Sequence, residues 1–148
     1  MSEKQGANLL KKEDVATRRP RYRRAAPSER PSFRLQERDR EIVSLVHDYR
    51  LIPSGHLLRL IDGSDQKILR RLQALFHARF VDRISQGQNS EMLYALDDVG
   101  VDLLAGMGRI ERRRIDWSQK NRQLTERFLQ HTMMLTDFRA TLYCSPLR

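Results

Sequence analysis

The apolar residues that follow position 36 recur at helical spacing. Four of them occupy positions i, i+3, i+4 and i+7, which together form one face of a helix: Ile42, Leu45, Val46 and Tyr49. Glu37 and the other acidic residues at the start of this stretch suit an early helical turn, where the helix dipole favours negative charge. The pattern predicts a first helix over about residues 36–50.

Two further helices are predicted from capping residues and apolar spacing. Ser54 is placed as the N-cap of a short second helix over about residues 55–62, and Ser64 as the cap of a third helix that runs to about Ala78. The third helix divides into two faces. Its predicted inward residues are Ile68, Leu69, Leu72, Leu75 and Phe76, and its outward residues are Gln66, Lys67, Arg70, Gln73, Ala74 and His77, with Arg71 at the flank.

The apolar period then changes from that of a helix to that of a strand. Residues 80–85 and 92–96 are predicted as two short strands joined by a polar loop with a glycine. Asp97 or Asp98 caps a fourth helix over about residues 98–106. Three helices, a two-stranded ribbon and another helix are the order of a winged helix-turn-helix. We therefore expect a mainly α fold with a small β-ribbon, and a winged-helix domain over residues 33–107.

The C-terminal part is predicted to be a basic linker, 108–117, followed by one long helix over about residues 118–143. Six residues repeat with alternating spacings of four and three, as in a heptad seam: Leu124, Phe128, His131, Leu135, Phe138 and Leu142. This seam predicts a homodimer joined through residues 118–148. Two alternatives stay open, in which the helix folds back on its own domain or packs on a further C-terminal part.

Charge is concentrated at the two ends of the chain. The formal net charge of +9 divides into +5 for residues 1–32, −1 for residues 33–107 and +5 for residues 108–148. The first segment has too few apolar residues for a core, so it is predicted to be a disordered basic arm. Five arginines crowd its middle: Arg18, Arg19, Arg21, Arg23 and Arg24. Such an arm is typical of proteins that bind a polyanion such as nucleic acid. The alternative is that the arm only aids solubility.

Several motifs of the chain resemble those of the replication-relaxation proteins of plasmids and other mobile elements. The similarity covers residues 33–138. Its motifs are Leu35-x-x-Arg38-Asp39-x-x-Ile42-x-x-Leu45, Leu51-Ile52-x-Ser54-x-x-Leu57, Arg71-Leu72-x-x-Leu75, Val81-x-Arg83, Tyr94-x-Leu96-x-x-x-Gly100 and His131-x-x-x-Leu135-x-Asp137-Phe138. Departures from the family pattern occur at Gln36, His56 and Arg79, where a Thr, a Gln and a Gly are usual. The resemblance implies an N-terminal winged helix and DNA binding connected with plasmid replication or topology.

The same residues give no indication of catalysis. None of the four histidines shares the His-x-x-x-His spacing of a helical metal site, and Cys144 is the only cysteine. Asp97, Asp98 and Asp102 are the only close group of carboxylates, and helix capping explains the first two. We therefore expect no enzyme activity, no metal, no cofactor and no small-molecule ligand. With no apolar run long enough for a membrane span, we expect a cytoplasmic protein without a membrane partner.

The predicted partner is double-stranded DNA. A helix-turn-helix places the N-terminal residues of its second helix, here the third overall, against base edges in the major groove. The predicted DNA-contacting residues are Gln66, Lys67, Arg70 and Arg71 on the third helix, Arg83, Gln86, Gln88 and Asn89 on the wing, and the five arginines of the arm. Within DNA binding, a transcriptional repressor stays open as an alternative to a replication factor. Two alternatives to DNA binding also stay open, a protein-interaction module and RNA binding by the arm.

Overall fold

The computed structural model describes residues 23–30, 32–86, 89–112 and 116–144. A short 3-10 turn, Pro27–Glu29, precedes the main elements. In chain order these are α1 Glu37–Tyr49, β1 Ile52–Pro53, α2 Ser54–Leu60, α3 Asp65–His77, β2 Val81–Ile84, β3 Leu93–Leu96, α4 Asp98–Gly106, α5 Trp117–Arg122 and α6 Glu126–Cys144. The prediction of a mainly helical fold with a small amount of β structure is confirmed.

Helices α1, α3 and α4 begin and end within one residue of the predicted bounds. Their apolar faces meet in one core, in which the side chains of Ile42, Leu72 and Leu104 are fully buried. A capping box begins α1, because the Gln36 N–H donates to Asp39 Oδ2 at 2.7 Å and the Gln36 side chain accepts from the Asp39 N–H. The prediction for Ser54 was wrong, since it is the first residue of α2 and not its cap.

The β structure is a three-stranded antiparallel sheet in the order β1-β3-β2. Strands β2 and β3 are the predicted ribbon, in which Val81 pairs with Leu96 and Ile84 with Leu93. The third strand, β1, lies between the first two helices, where no strand was predicted. It joins the sheet because Ile52 is buried and pairs with Tyr94. The sheet thereby joins the β2-β3 hairpin to the segment between α1 and α2.

The prediction of one long C-terminal helix was wrong. The chain forms α5 and α6 with a break at residues 123–125. Asp116 accepts from the Gln119 N–H at 2.9 Å and so caps α5, and Thr125 Oγ1 accepts from the Phe128 N–H at 3.3 Å at the start of α6. Each short helix therefore has its own start signal, and the two pack on different elements, α5 on β2 and α6 on α2.

Among the described residues, we find no helix that combines the length and the apolar composition needed to cross a bilayer.

Candidate nucleic-acid interface

One face of α3 presents long polar side chains to solvent. Gln66, Arg70 and Gln73 lie at positions i, i+4 and i+7, so they share this face, and Lys67 lies beside it. All four side chains are exposed, and none makes a hydrogen bond or an ion pair within the described part of the chain. The structure thus brings together three of the predicted contact residues, Gln66, Lys67 and Arg70, and adds Gln73.

A tight turn precedes α3 and sets its direction. Gly63 has a φ of +132°, a backbone conformation that side-chain-bearing residues rarely adopt. The Arg38 guanidinium lies over this turn, and a Cβ added at Gly63 would stand 3.1 Å from Arg38 Nη2. A glycine is therefore required at this position for α3 to leave α2 at the observed angle.

Arg71 was predicted to contact DNA, but its guanidinium is bound within the fold. Its Nε donates to Asp39 Oδ1 at 2.8 Å, and its Nη2 donates to the other carboxylate oxygen and to the Arg34 carbonyl. The Asp39 side chain is fully buried. These hydrogen bonds to Asp39 raise the pKa of Arg71, so the guanidinium stays charged in this position. Burial of a carboxylate requires such a partner, which explains why Arg71 turns inward while Arg70 does not.

Arg24, predicted to be part of a disordered arm, is bound to the folded domain. Its Nη2 lies 2.6 Å from Asp97 Oδ2 and 3.2 Å from Asp82 Oδ1, and its Nε donates to the Phe76 carbonyl at 2.9 Å. Asp97 is fully buried, and its other oxygen accepts from the Asp98 N–H and from the Ser118 hydroxyl. This one carboxylate therefore joins the N-terminal segment, the start of α4 and α5.

The N-terminal segment continues along the domain after Arg24. The Ala25 N–H donates to His77 Nδ1 at 3.0 Å, and Ala25 is buried. Arg23 is exposed, and its role in DNA binding stays a prediction. Arg18, Arg19 and Arg21, together with residues 1–22 as a whole, lie outside the described residues. The folded domain thus includes Arg24 and Ala25, which lie before the predicted boundary of 33.

The β2-β3 hairpin, predicted as the wing, offers fewer contact residues among its described residues than predicted. Gln86 and Asn89 are exposed, and Gln88 lies outside the described residues. Arg83 is half-buried, with its guanidinium 4.6 Å from the centre of the Phe76 ring. It packs on the core and is therefore removed from the set of candidate DNA contacts.

The loop of this hairpin is also bound to the start of α2. Glu91 Oε1 accepts from the Ser54 hydroxyl at 3.1 Å and from the Gly55 N–H. A carboxylate at this end of a helix is favoured by the unpaired N–H groups and by the helix dipole. Neither contact was predicted, because Glu91 stands in a polar loop with no local feature that indicates its partner.

Small residues cover the inner face of α6. Thr132, Thr136 and Ala140 are buried, and Thr136 Oγ1 donates to the Leu51 carbonyl at 2.8 Å. On the flank, His56 Nε2 lies 2.8 Å from Asp137 Oδ1 and links α6 to α2. The inner face of α6 therefore packs on the chain's own domain, as in the predicted alternative of a helix that folds back.

Large apolar residues lie on the outer face of α6. Leu135, Phe138 and Leu142 from the predicted seam are 53%, 64% and 59% exposed, and Met134 is 72% exposed. We call these four residues the α6 apolar strip. His131 is exposed beside the strip.

The first two residues of the predicted seam lie elsewhere. Leu124 and Phe128 are half-buried and line a cavity of about 130 Å³ between α1, α5 and α6. The Arg50 guanidinium lies 5.0 Å from the centre of the Phe128 ring. Leu124 lies in the break before α6 and Phe128 in the first turn of that helix, and both line this cavity, whereas the later seam residues Leu135, Phe138 and Leu142 are exposed.

Within the described ranges, no group of three or more His, Cys, Asp or Glu residues lies close enough to hold a metal ion. Cys144 is exposed at the end of α6. The absence of enzyme activity stays a prediction.

The comparisons with known proteins identify a family. A family model described as replication-relaxation matches residues 43–146, which is more than half of the chain. The match runs from the middle of α1 to beyond the end of α6, so it includes α3, both strands of the β2-β3 hairpin and both C-terminal helices. No curated protein and no solved structure matches the chain significantly. The chain belongs to the replication-relaxation family.

Proposed function

We propose that the chain is a winged helix-turn-helix protein that binds double-stranded DNA through α3 and acts in a replication-related role. The contrast between Arg70 and Arg71 is the observation that carries this proposal. Arg71 is held by the buried Asp39, whereas its neighbour Arg70 is exposed and has no partner within the described residues. Guanidinium and amide groups on one helix face match the hydrogen-bonding edges of guanine and adenine in the major groove.

The order of the elements supports the same function. Helices α2 and α3 are joined by the Gly63 turn, and α3 is followed directly by the β2-β3 hairpin. In a helix-turn-helix this arrangement places the second helix in the major groove. On the wing, Gln86 and Asn89 are free to reach the flanking backbone. Membership of the replication-relaxation family supports the connection with replication.

Binding to duplex DNA should depend steeply on salt. The segments at residues 1–32 and 108–148 each carry +5, and each phosphate that a cation neutralises releases a condensed counterion. Deletion of residues 1–22 is expected to reduce the slope of log K against log salt and to weaken binding to all sequences alike. The deletion stops there because Arg24 is part of the domain. Fluorescence anisotropy on one duplex at several salt concentrations measures both slopes, and equal slopes would show that the arm does not contact DNA.

We also propose that the protein is a homodimer through the α6 apolar strip. Four large apolar side chains on one helix face form a contiguous exposed patch, which a soluble protein normally covers. A two-fold dimer would present two copies of α3 to two half-sites about one helical turn of DNA apart.

Sedimentation velocity tests the dimer. Leu135→Asp is expected to convert the dimer to a monomer, because a charge would be buried in the interface, while the circular dichroism spectrum stays unchanged. Gln130→Asp is the matched control, since Gln130 is exposed on the same helix but outside the strip. If the wild-type protein is a monomer at micromolar concentrations, the dimer proposal fails while DNA binding by α3 is unaffected.

A further inference from the structure

Leu69 is the only large apolar side chain of α3 that is not buried. Ile68, Leu72, Leu75 and Phe76 are all completely inaccessible, whereas Leu69 is 42% exposed. The prediction that Leu69 belongs to the core was therefore wrong. It is also absent from the set of half-buried residues that pack against the core.

The position of Leu69 puts it on the proposed reading face. Gln66, Leu69, Arg70 and Gln73 occupy positions i, i+3, i+4 and i+7 of α3, so the leucine is flanked along the helix by two glutamines. All four side chains are exposed. The face therefore presents an aliphatic group among amide and guanidinium donors.

One base in duplex DNA has a matching apolar group at its major-groove edge. Thymine displays its C5-methyl group there beside the O4 acceptor, and apolar side chains contact this methyl in specific complexes. We propose that Leu69 contacts a thymine methyl group in the recognition site and makes thymine preferred at that position. The proposal rests on the proposed function and adds a specificity-determining residue and the base that it recognises.

Replacement of single thymines by uracil tests this contact, because the change removes one methyl group and leaves every hydrogen-bonding group in place. A duplex selected from a random pool by the full-length protein serves as the probe. We expect one thymine-to-uracil change in the selected duplex, at the position that Leu69 contacts, to weaken wild-type binding about fourfold, the value for one buried methylene-sized group. In Leu69→Ala the same change should have no effect on affinity.

The control is Arg70→Ala, which should keep the difference between thymine and uracil while it loses affinity for the selected duplex. Thermal unfolding of Leu69→Ala checks that the variant is folded. Because the Leu69 side chain is 42% exposed, we expect its removal to cost little stability. The proposal would be overturned if the wild-type protein bound the thymine and uracil duplexes with equal affinity, or if Leu69→Ala still bound the thymine duplex more tightly. Failure of the proposed function itself looks different, since no duplex would then be selected or bound.

Discussion

Replacement of Arg71 by alanine is expected to lower the free energy of unfolding by about 3–5 kcal/mol, the cost of leaving a buried charge without its partner. Asp39 has no accessible side-chain surface, and both of its oxygens accept hydrogen bonds from Arg71. The variant would also lose the hydrogen bond to the Arg34 carbonyl and the contact of the guanidinium with the Phe33 ring, 5.0 Å away. The buried pair therefore holds the segment before α1 against α3.

Urea denaturation followed by circular dichroism measures this loss. Arg70→Ala is the matched control, because Arg70 is the next residue along the same helix and is exposed, so its change should be within about 0.5 kcal/mol. The double variant Arg71→Met with Asp39→Asn should recover part of the loss, since it removes the uncompensated charge. Equal stability of Arg71→Ala and Arg70→Ala would contradict the assignment of Arg71 to the fold.

Substitutions of two glycines in α4 are expected to have opposite effects. A Cβ at Gly100 would lie 2.1 Å from the Phe80 carbonyl oxygen and 2.9 Å from Leu96 Cδ1. The same carbonyl accepts the Asp97 N–H at 3.2 Å, so it cannot move without loss of a hydrogen bond between the start of β2 and α4. We expect Gly100→Ala to destabilise the protein by about 3 kcal/mol, the upper end of the cost of overpacking.

Gly106, at the end of the same helix, provides the control. A Cβ there would have no neighbour within 4 Å, so Gly106→Ala should be neutral or stabilise the protein by up to about 1 kcal/mol through helix propensity. Thermal unfolding of the two variants beside the wild type distinguishes them. A melting temperature that is the same for both variants would contradict the close contact between α4 and Phe80.

Helices α1, α3 and α4 could be predicted because their apolar residues follow one helical period. In α3 the period alone separates the fully buried Leu72 from the exposed Arg70. The C-terminal segment could not be predicted in the same way. There the heptad spacing continues across the break at residues 123–125 and concealed the start signal at Thr125. The spacing of apolar residues predicts which of them share a helix face. It does not show whether they belong to one continuous helix or to two helices.

The position of the candidate site on α3 could be predicted, but not which residues belong to it. Arg71 and Arg24 differ from Arg70 only through their carboxylate partners, which are distant in sequence. Asp39 is 32 residues from Arg71, and Asp97 is 73 residues from Arg24. Residue type and spacing indicate which side chains can bind DNA, whereas a buried acid elsewhere in the chain decides which of them stay free. Leu69 was misplaced for a related reason, since periodicity assigned it to the core and only the tertiary structure shows its exposure.

The most direct test of base reading by α3 is the ratio of affinities for a selected duplex and a scrambled duplex of the same length, measured at one salt concentration for the wild type and Arg70→Ala. Arg70 is exposed and contributes nothing to the described contacts of the fold, so the variant keeps the domain intact. Loss of one bidentate contact with guanine should reduce the preference for the selected duplex by about 1–3 kcal/mol while affinity for the scrambled duplex changes little. An equal loss of affinity for both duplexes, or no loss for either, would contradict the account of α3 as a base-reading helix.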